Sequence, residues 1–285
     1  MASSPSRSLS LLLLLALAGC GGATHHRSHA QRTTTASAST TTATMPGAHR
    51  APRERVPILM YHVIDGAPAG TPLPGLWVPR EEFKSEVDGL AARGYHAVTL
   101  AQVWKAWHQG GLLPSKPIVF SFDDGYASQY TNAMPILRGH RWPGVLNLEV
   151  ATLHTTLRSS QVRGLVRAGW EVDAHTMTHP DLRTVYGARL RYEVATSRRW
   201  IHDHFGVPVD FFCYPAGRYD AHVIAAVKDA GYLAATTTNE GVAAPSNATY
   251  ELPRVRVNPG EGLKGVESSL KAAAGGTQPA APAGE

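Results

Sequence analysis

From Val56 to about Leu270 short apolar runs alternate with amphipathic stretches, and no other feature restricts the possible folds so sharply. An apolar run of strand length bounded by turn residues reads as a buried strand, whereas a 3.6-residue period reads as a helix. Strands are expected at 56–63, 95–98, 117–122, 144–149, 170–174, 209–214, 233–237 and 252–257. Helices are expected at 80–92, 100–109, 127–138, 159–168, 184–205, 220–230 and 262–273. Gly94, Gly139, Gly169, Gly206 and Gly231 each follow a helical stretch and precede a strand, where a left-handed cap favours glycine. This alternation argues for an α/β fold with a mostly parallel sheet, and the number of units argues for a barrel. In α/β barrels chemistry collects at the carboxyl ends of strands, and His62, Asp123, Asp124, His175 and Tyr214-Pro215 fall there.

The chain carries more than this domain. Arg7 precedes an apolar run from Leu11 to Leu17, a secretory signal too short to span a bilayer. Leu17-Ala18-Gly19-Cys20 resembles the bacterial lipobox, which implies that residues 1–20 direct export and that lipidated Cys20 anchors the protein to the bacterial cell membrane, facing outside the cytoplasm. Residues 21–54 are rich in Thr, Ser, Ala and His and are read as a flexible tether, with His25, His26 and His29 as part of a solvated linker. The folded domain is expected over 55–271, and the Ala-, Gly- and Pro-rich tail over 272–285 is expected to be disordered.

The net charge of +5 has one source, six arginines against one glutamate within residues 1–55. A nucleic-acid footprint would put basic charge on the folded domain, which is neutral overall, so nucleic acid is excluded as a partner. Cys20 and Cys213 are the two cysteines. With Cys20 lipidated, Cys213 has no partner and the domain relies on its core rather than on a disulfide.

Two short segments carry the chemistry. Asp123, Asp124 and Gly125 close the apolar run Pro117-Ile118-Val119-Phe120-Ser121-Phe122, and His175 and His179 stand in His-Thr-Met-Thr-His. Asp124, His175 and His179 would offer one anionic oxygen and two neutral nitrogens to one divalent metal ion with an open position. The four-residue spacing of the histidines suggests one helical turn. Strand alternation points Asp123 away from Asp124, and a turn at Gly125 would bring it back toward the activated water as general base.

Phe120-Ser121-Phe122-Asp123-Asp124-Gly125, His175-Thr176-Met177-Thr178-His179 and Phe212-Cys213-Tyr214-Pro215-Ala216-Gly217 together resemble polysaccharide deacetylases of the NodB-homology type, carbohydrate esterase family 4. The resemblance covers nearly all of residues 56–257. It implies a single-domain distorted (β/α)7-type barrel that removes acetyl groups from a polysaccharide, with Asp123 as base and Asp124, His175 and His179 as ligands of one divalent metal ion, zinc with cobalt or nickel as alternatives. Many members carry Arg-x-Pro in the third motif, with the arginine bracing the base, and here Cys213 takes that place. Arg254 or Arg256 is expected to supply the missing cation. The late histidine motif is absent too, and Pro57-Ile58-Leu59-Met60-Tyr61-His62 resembles the opening strand of the poly-N-acetylglucosamine deacetylase branch, which implies His62 as general acid. The backbone N–H of Ala216 is the candidate oxyanion donor. Trp77, Trp104, Trp107, Tyr126 and Trp142 are candidate sugar platforms, with core packing expected for most of them.

The reading that follows is a metal-dependent hydrolase acting on N-acetylhexosamine units of an envelope or extracellular polysaccharide. Three others share some of its features. An O-acetyl esterase acting on xylan would use the same site, a non-catalytic glycan-binding lipoprotein would keep a degenerate barrel, and a non-haem iron oxygenase would share the two-histidine, one-carboxylate set.

Overall fold

The computed structural model describes residues 46–275. The expected signal with Cys20, residues 21–45 of the expected tether and residues 276–285 of the expected tail lie outside the described residues. Ten strands follow in chain order: β1 (His49–Arg50), β2 (Ile58–Tyr61), β3 (His96–Ala97), β4 (Leu112–Leu113), β5 (Pro117–Asp124), β6 (Val145–Leu148), β7 (Glu171–Ala174), β8 (Phe211–Cys213), β9 (Ala234–Glu240) and β10 (Leu252–Arg256). The α-helices are α1 (Arg80–Ala92), α2 (Leu100–His108), α3 (Met134–Gly139), α4 (Ser159–Arg167), α5 (Gly187–Arg191), α6 (Ser197–Phe205), α7 (Ala221–Asp229) and α8 (Gly262–Ala274).

Seven parallel strands close on themselves in the order β2-β10-β9-β8-β7-β6-β5, and β5 returns to β2 with Ile58 opposite Val119 and Tyr61 opposite Phe122. The expected barrel is therefore present. The strand expected over 95–98 is only the two-residue β3, which pairs with Pro117 and Ile118 outside the closed ring.

Strand alternation divides the barrel into layers. Outward residues such as Leu59, Tyr61, Phe120, Phe122, Val172 and Val255 join one core with the surrounding helices. Tyr61 stacks on Phe120 and Phe122 while Phe83 of α1 meets the same rings edge-on. Each such buried ring is worth about 1.5–3 kcal/mol over leaving it in water. Inward residues near the strand starts, Ile58, Val119, Val145, Phe211, Ala234 and Leu252, form a second apolar cluster that fills the barrel floor. Further along the inward rows stand Ser121, Asp123, Asn147, Asp173, Cys213, Thr236 and Arg254, all buried. A dry floor therefore supports a polar layer at the carboxyl ends, where the cleft opens.

Local departures from the expected elements have identifiable causes. The helix expected over 184–205 is α5 and α6 joined by a wider π turn at Tyr192–Thr196, where the Ser197 hydroxyl donates to the carbonyls of Glu193 and Val194. The helix expected over 127–138 begins with a π turn at Gln129–Ala133, because Pro135 has no N–H to continue the ladder. Gly94, Gly169, Gly206 and Gly231 take the expected left-handed conformation, but after α3 it is Arg141 that does so instead of Gly139.

The tether was expected to reach residue 54, yet β1 pairs antiparallel with β4, Ala51 is buried and the Trp107 indole donates to the carbonyl of Glu54. Residues 46–54 thus belong to the folded unit, and α8 carries that unit to Ala274. Among the described residues no helix is long and apolar enough to cross a membrane.

Candidate active site

Asp123 and Asp124 end β5, but their side chains do not diverge. Asp124 has φ +73°, which breaks the strand alternation, and both carboxylates line one cleft of about 450 Å³. The expectation that Asp123 would need a later turn to return to the site is corrected, since the reversal occurs at Asp124 itself. Gly125 follows at φ +105°, and a Cβ there would lie 2.7 Å from the Thr152 hydroxyl. The peptide carbonyls of this bend are all engaged. The Gln129 amide donates to Asp123 O at 2.6 Å, Glu149 N and Thr152 Oγ1 both donate to Asp124 O at 3.0 Å, and Thr156 Oγ1 donates to Gly125 O at 2.8 Å. Such a network holds a backbone conformation that would otherwise cost about 1–3 kcal/mol.

The Asp123 carboxylate is buried and fully partnered. Arg254 donates from Nη1 to Oδ1 at 2.8 Å and from Nη2 to Oδ2 at 2.7 Å, Asn147 donates to Oδ1 at 2.7 Å, and the Cys213 thiol lies 3.7 Å from Oδ2. Arg254 is itself held by Thr237 O at 2.8 Å and Ser121 Oγ at 3.2 Å. Burial alone would push the Asp123 carboxyl up, but the Arg254 guanidinium outweighs it and holds the group well below the usual carboxylate range. Of the two arginines expected near Asp123, Arg254 is therefore the one that grips it. Arg256, one inward position further along β10, lines the cleft wall instead.

Asp124, His175 and His179 converge as expected, with ligand atoms all within 4.8 Å of one another. Asp124 Oδ1 lies 3.4 Å from His175 Nε2 and 3.6 Å from His179 Nε2, and this buried oxygen has no hydrogen-bond partner among the described residues. His175 Nδ1 donates to the Cys213 carbonyl at 2.7 Å, which turns Nε2 toward Asp124. Burial disfavours a charged His175, yet Cys213 and Asp124 raise its pKa well above the ordinary value; the pocket attracts positive charge. Burial and the neighbouring His175 bring His179 down to about 4, which keeps its ring neutral and available as a ligand. A cation between these three atoms would relieve the crowded lone pairs, so the donor set fits a divalent metal. Asp123, His175 and Cys213 also lie within metal-binding distance of one another, but Arg254 already occupies both oxygens of Asp123.

The two histidines are not on a helical turn. His175-Thr176-Met177-Thr178-His179 is an irregular loop with positive φ at Thr176 and His179. Its shape comes from Glu193, which is fully buried and accepts from Met177 N at 3.0 Å, Thr178 N at 2.9 Å and Thr178 Oγ1 at 2.8 Å. Thr176 Oγ1 accepts from His179 N at 2.8 Å and closes the bend. Neither Glu193 nor Asn147 announces itself in sequence, because each acts through a loop or strand far away in the chain.

His62 lies at the end of β2 with Nε2 3.8 Å from Asp123 Oδ2, and burial lowers its pKa while Asp123 and Asp124 oppose the fall. Ala216 lines the same cleft at φ +49°, beside Pro215, Arg218 and Thr238. Tyr126 and Glu149 complete the wall, with burial and Asp124 raising Tyr126 to about 12 and Glu149 to about 7. Of the five aromatic residues singled out in the sequence, Tyr126 lines this cleft. Trp107 and Trp142 are buried, Trp104 packs against His108 and Phe211, and Trp77 sits in a bridge with Val63.

A family model described as polysaccharide deacetylase matches residues 111–235, a span that contains Asp123, Asp124, His175 and His179. YxkH of Bacillus subtilis, whose name places it among the polysaccharide deacetylases, is 28% identical over 209 residues, covering 72% of each chain. The Streptococcus pyogenes deacetylase PplD, solved in complex with acetate, matches with a TM-score of 0.71 and 25% identity over 76% of this chain and 99% of that one. The chain carries a polysaccharide deacetylase domain of the NodB-homology type. As such it is a deacetylase hydrolase. The poly-beta-1,6-N-acetyl-D-glucosamine N-deacetylase of Staphylococcus epidermidis is 23% identical over 199 residues, covering 64% of this chain and 68% of that relative. Within this deacetylase, the place that an arginine fills in many members is taken by Cys213, and the guanidinium reaches Asp123 from the last barrel strand.

Proposed function

We propose that this deacetylase is a metal-dependent N-deacetylase of N-acetylhexosamine units in an envelope or extracellular polysaccharide. The observation that carries the metal requirement is Asp124 Oδ1, buried between two imidazole nitrogens and without a hydrogen-bond partner among the described residues. The N-acetylglucosamine substrate class draws support from the name of the Staphylococcus epidermidis relative and from His62 at the end of the first barrel strand.

Asp124, His175 and His179 would hold one divalent ion, zinc or else cobalt or nickel, which supplies a Lewis acid and a water of lowered pKa. Asp123 is the base. Ion pairing keeps it ionised, and its fixed partners leave it little freedom to turn from the cleft, so it takes a proton from the attacking water. Arg254 braces that carboxylate, and Asn147 fixes its rotation. The Ala216 N–H donates to the carbonyl oxygen as negative charge grows on it, a contribution commonly worth about 10² to 10³ in rate. His62 then gives a proton to the departing amine; burial lowers its pKa, which favours giving the proton up, while the nearby Asp123 and Asp124 carboxylates limit that fall.

The membrane assignment rests on Leu17-Ala18-Gly19-Cys20, through which lipid on Cys20 would hold the enzyme outside the cytoplasm. Radiolabelled palmitate incorporated by the wild type and not by Cys20→Ala is the expected result. The substrate is tested by acetate release from N-acetylglucosamine oligomers set against acetylated xylan. Release from the oligomers at the higher kcat/KM supports N-deacetylation, whereas preference for xylan would replace it with O-acetyl esterase activity.

A further inference from the structure

Tyr186 is 66% exposed, more than any other exposed large hydrophobic residue described. A scattered exposed aromatic needs no explanation, but this one is held flat. Its ring stacks on the imidazole of His222 with centroids 4.7 Å apart and planes 13° from parallel, and its hydroxyl donates to Arg183 O at 2.9 Å. His222 is fixed in turn, with Nε2 3.2 Å from Val185 O and Nδ1 2.5 Å from Asp220 Oδ1. Asp220 is itself anchored as the cap of α7, accepting from His222 N and Val223 N. One face of the tyrosine is covered by the imidazole, and the other is left to solvent.

The ring is linked to the cleft wall through Arg183. Asp181 and Arg218 line the cleft wall and lie 3.5 Å apart, and Arg183 grips Asp181 through Nε at 3.0 Å and Nη2 at 2.7 Å. Tyr186 is tied to that same arginine through its backbone carbonyl. The cleft itself encloses the reacting groups in about 450 Å³, while a polymer substrate continues beyond the unit being deacetylated.

We infer that Tyr186, backed by His222, is a platform on which a pyranose ring of the polymer stacks, next to the unit held in the cleft. A pyranose presents a flat patch of C–H bonds, weakly positive at hydrogen, that matches the negative face of an aromatic ring. Because the ring is already immobilised, stacking costs little further conformational entropy. The inference rests on the reading of the substrate as a polymer, and it adds a subsite that none of the catalytic residues requires.

The test compares N-acetylglucosamine dimers and hexamers, in both β-1,4 and β-1,6 linkages, with wild type, Tyr186→Ala and Tyr186→Phe. A stacking contact of ordinary strength should make the ratio of hexamer KM to dimer KM rise about two- to tenfold in Tyr186→Ala, with the change in KM rather than kcat. Tyr186→Phe keeps the ring and loses only the bond to Arg183 O, so its ratio should stay near that of wild type. An unchanged ratio in Tyr186→Ala overturns the platform, and so does a Phe variant that behaves like Ala, since that would assign the effect to loop pinning. If the wild type releases no acetate from any oligomer, the N-acetylglucosamine reading fails separately. Calorimetric titration of hexamer then decides the platform: weaker binding by Ala but not by Phe supports it, and equal or absent binding in all three rejects it.

Discussion

Replacing Arg254 by Met should do more damage than any other single change in the site, and the structure gives the size of the effect. Arg254 and Asp123 are 1% and 2% exposed and joined by two short hydrogen bonds. Methionine fills much of the same space but donates nothing, which leaves a buried carboxylate with Asn147, the Cys213 thiol at 3.7 Å and His62 at 3.8 Å. Breaking a buried pair from one side costs about 3–5 kcal/mol. For a domain of this size each kcal/mol lowers Tm by about 2–4 °C, so the expected fall is about 6–20 °C. The pH dependence should also reverse. In the wild type Asp123 is held below the usual range, so its stabilising term is present above the unfolded pKa and fades only in strong acid. Without Arg254, burial dominates, the folded state binds a proton more readily than the unfolded chain, and the variant should regain stability relative to wild type as pH falls from 7 toward 5. Circular dichroism melts of wild type, Arg254→Met, Asp123→Leu and the double variant form a cycle that isolates the pair. The double variant should recover most of the loss, because two apolar side chains replace a buried ion pair at little net cost. A single variant melting within about 2 °C of wild type, or a double variant no more stable than Arg254→Met, would refute this reasoning.

Three further outcomes follow from other parts of the molecule. Asp123→Asn should lower acetate release by about 10² to 10⁴ while equilibrium dialysis still finds one metal ion per chain, and undiminished turnover would remove it as the base. Glu193→Ala removes the acceptor that shapes the His175–His179 loop and should weaken metal affinity about 10- to 100-fold, read by competition with a chelating dye. Burial raises Glu86 to about 8, with the Tyr61 hydroxyl and Glu82 as lesser influences, so the folded protein binds this proton more tightly than the unfolded chain. Stability from Glu86 is thus whole below the unfolded pKa of about 4.5 and is lost as pH rises through 8, and Glu86→Gln should flatten that part of the Tm-against-pH curve.

The barrel was legible because its strands and helices differ in period, and the alternation from Val56 onward required nothing beyond local pattern. The same rule misled at Asp124, where one positive φ places two adjacent carboxylates in one cleft; no residue type in Asp-Asp-Gly reveals which member departs from the strand. Four-residue spacing suggested a helical turn for His175 and His179, but Glu193, fourteen positions past His179, imposes a loop by capping its N–H groups. Arg254 and Arg256 looked equivalent in sequence. Their assignment came from side-chain contacts, since Arg254 donates to both oxygens of Asp123 whereas Arg256, one inward step further along β10, lines the cleft wall. That residues 46–54 belong to the folded unit was hidden because β1 has only two residues and is held by a ladder to β4 and by Trp107, contacts that leave no mark on the composition of the segment.

Acetate release as a function of metal equivalents bears most directly on the central claim that Asp124, His175 and His179 make this a single-metal deacetylase. Protein stripped by a chelator and supplied with an N-acetylglucosamine hexamer should release no acetate, then gain activity in proportion to added zinc up to a break at about one equivalent per chain. Full activity in the stripped protein, or none after zinc, cobalt and nickel have each been restored, would contradict it.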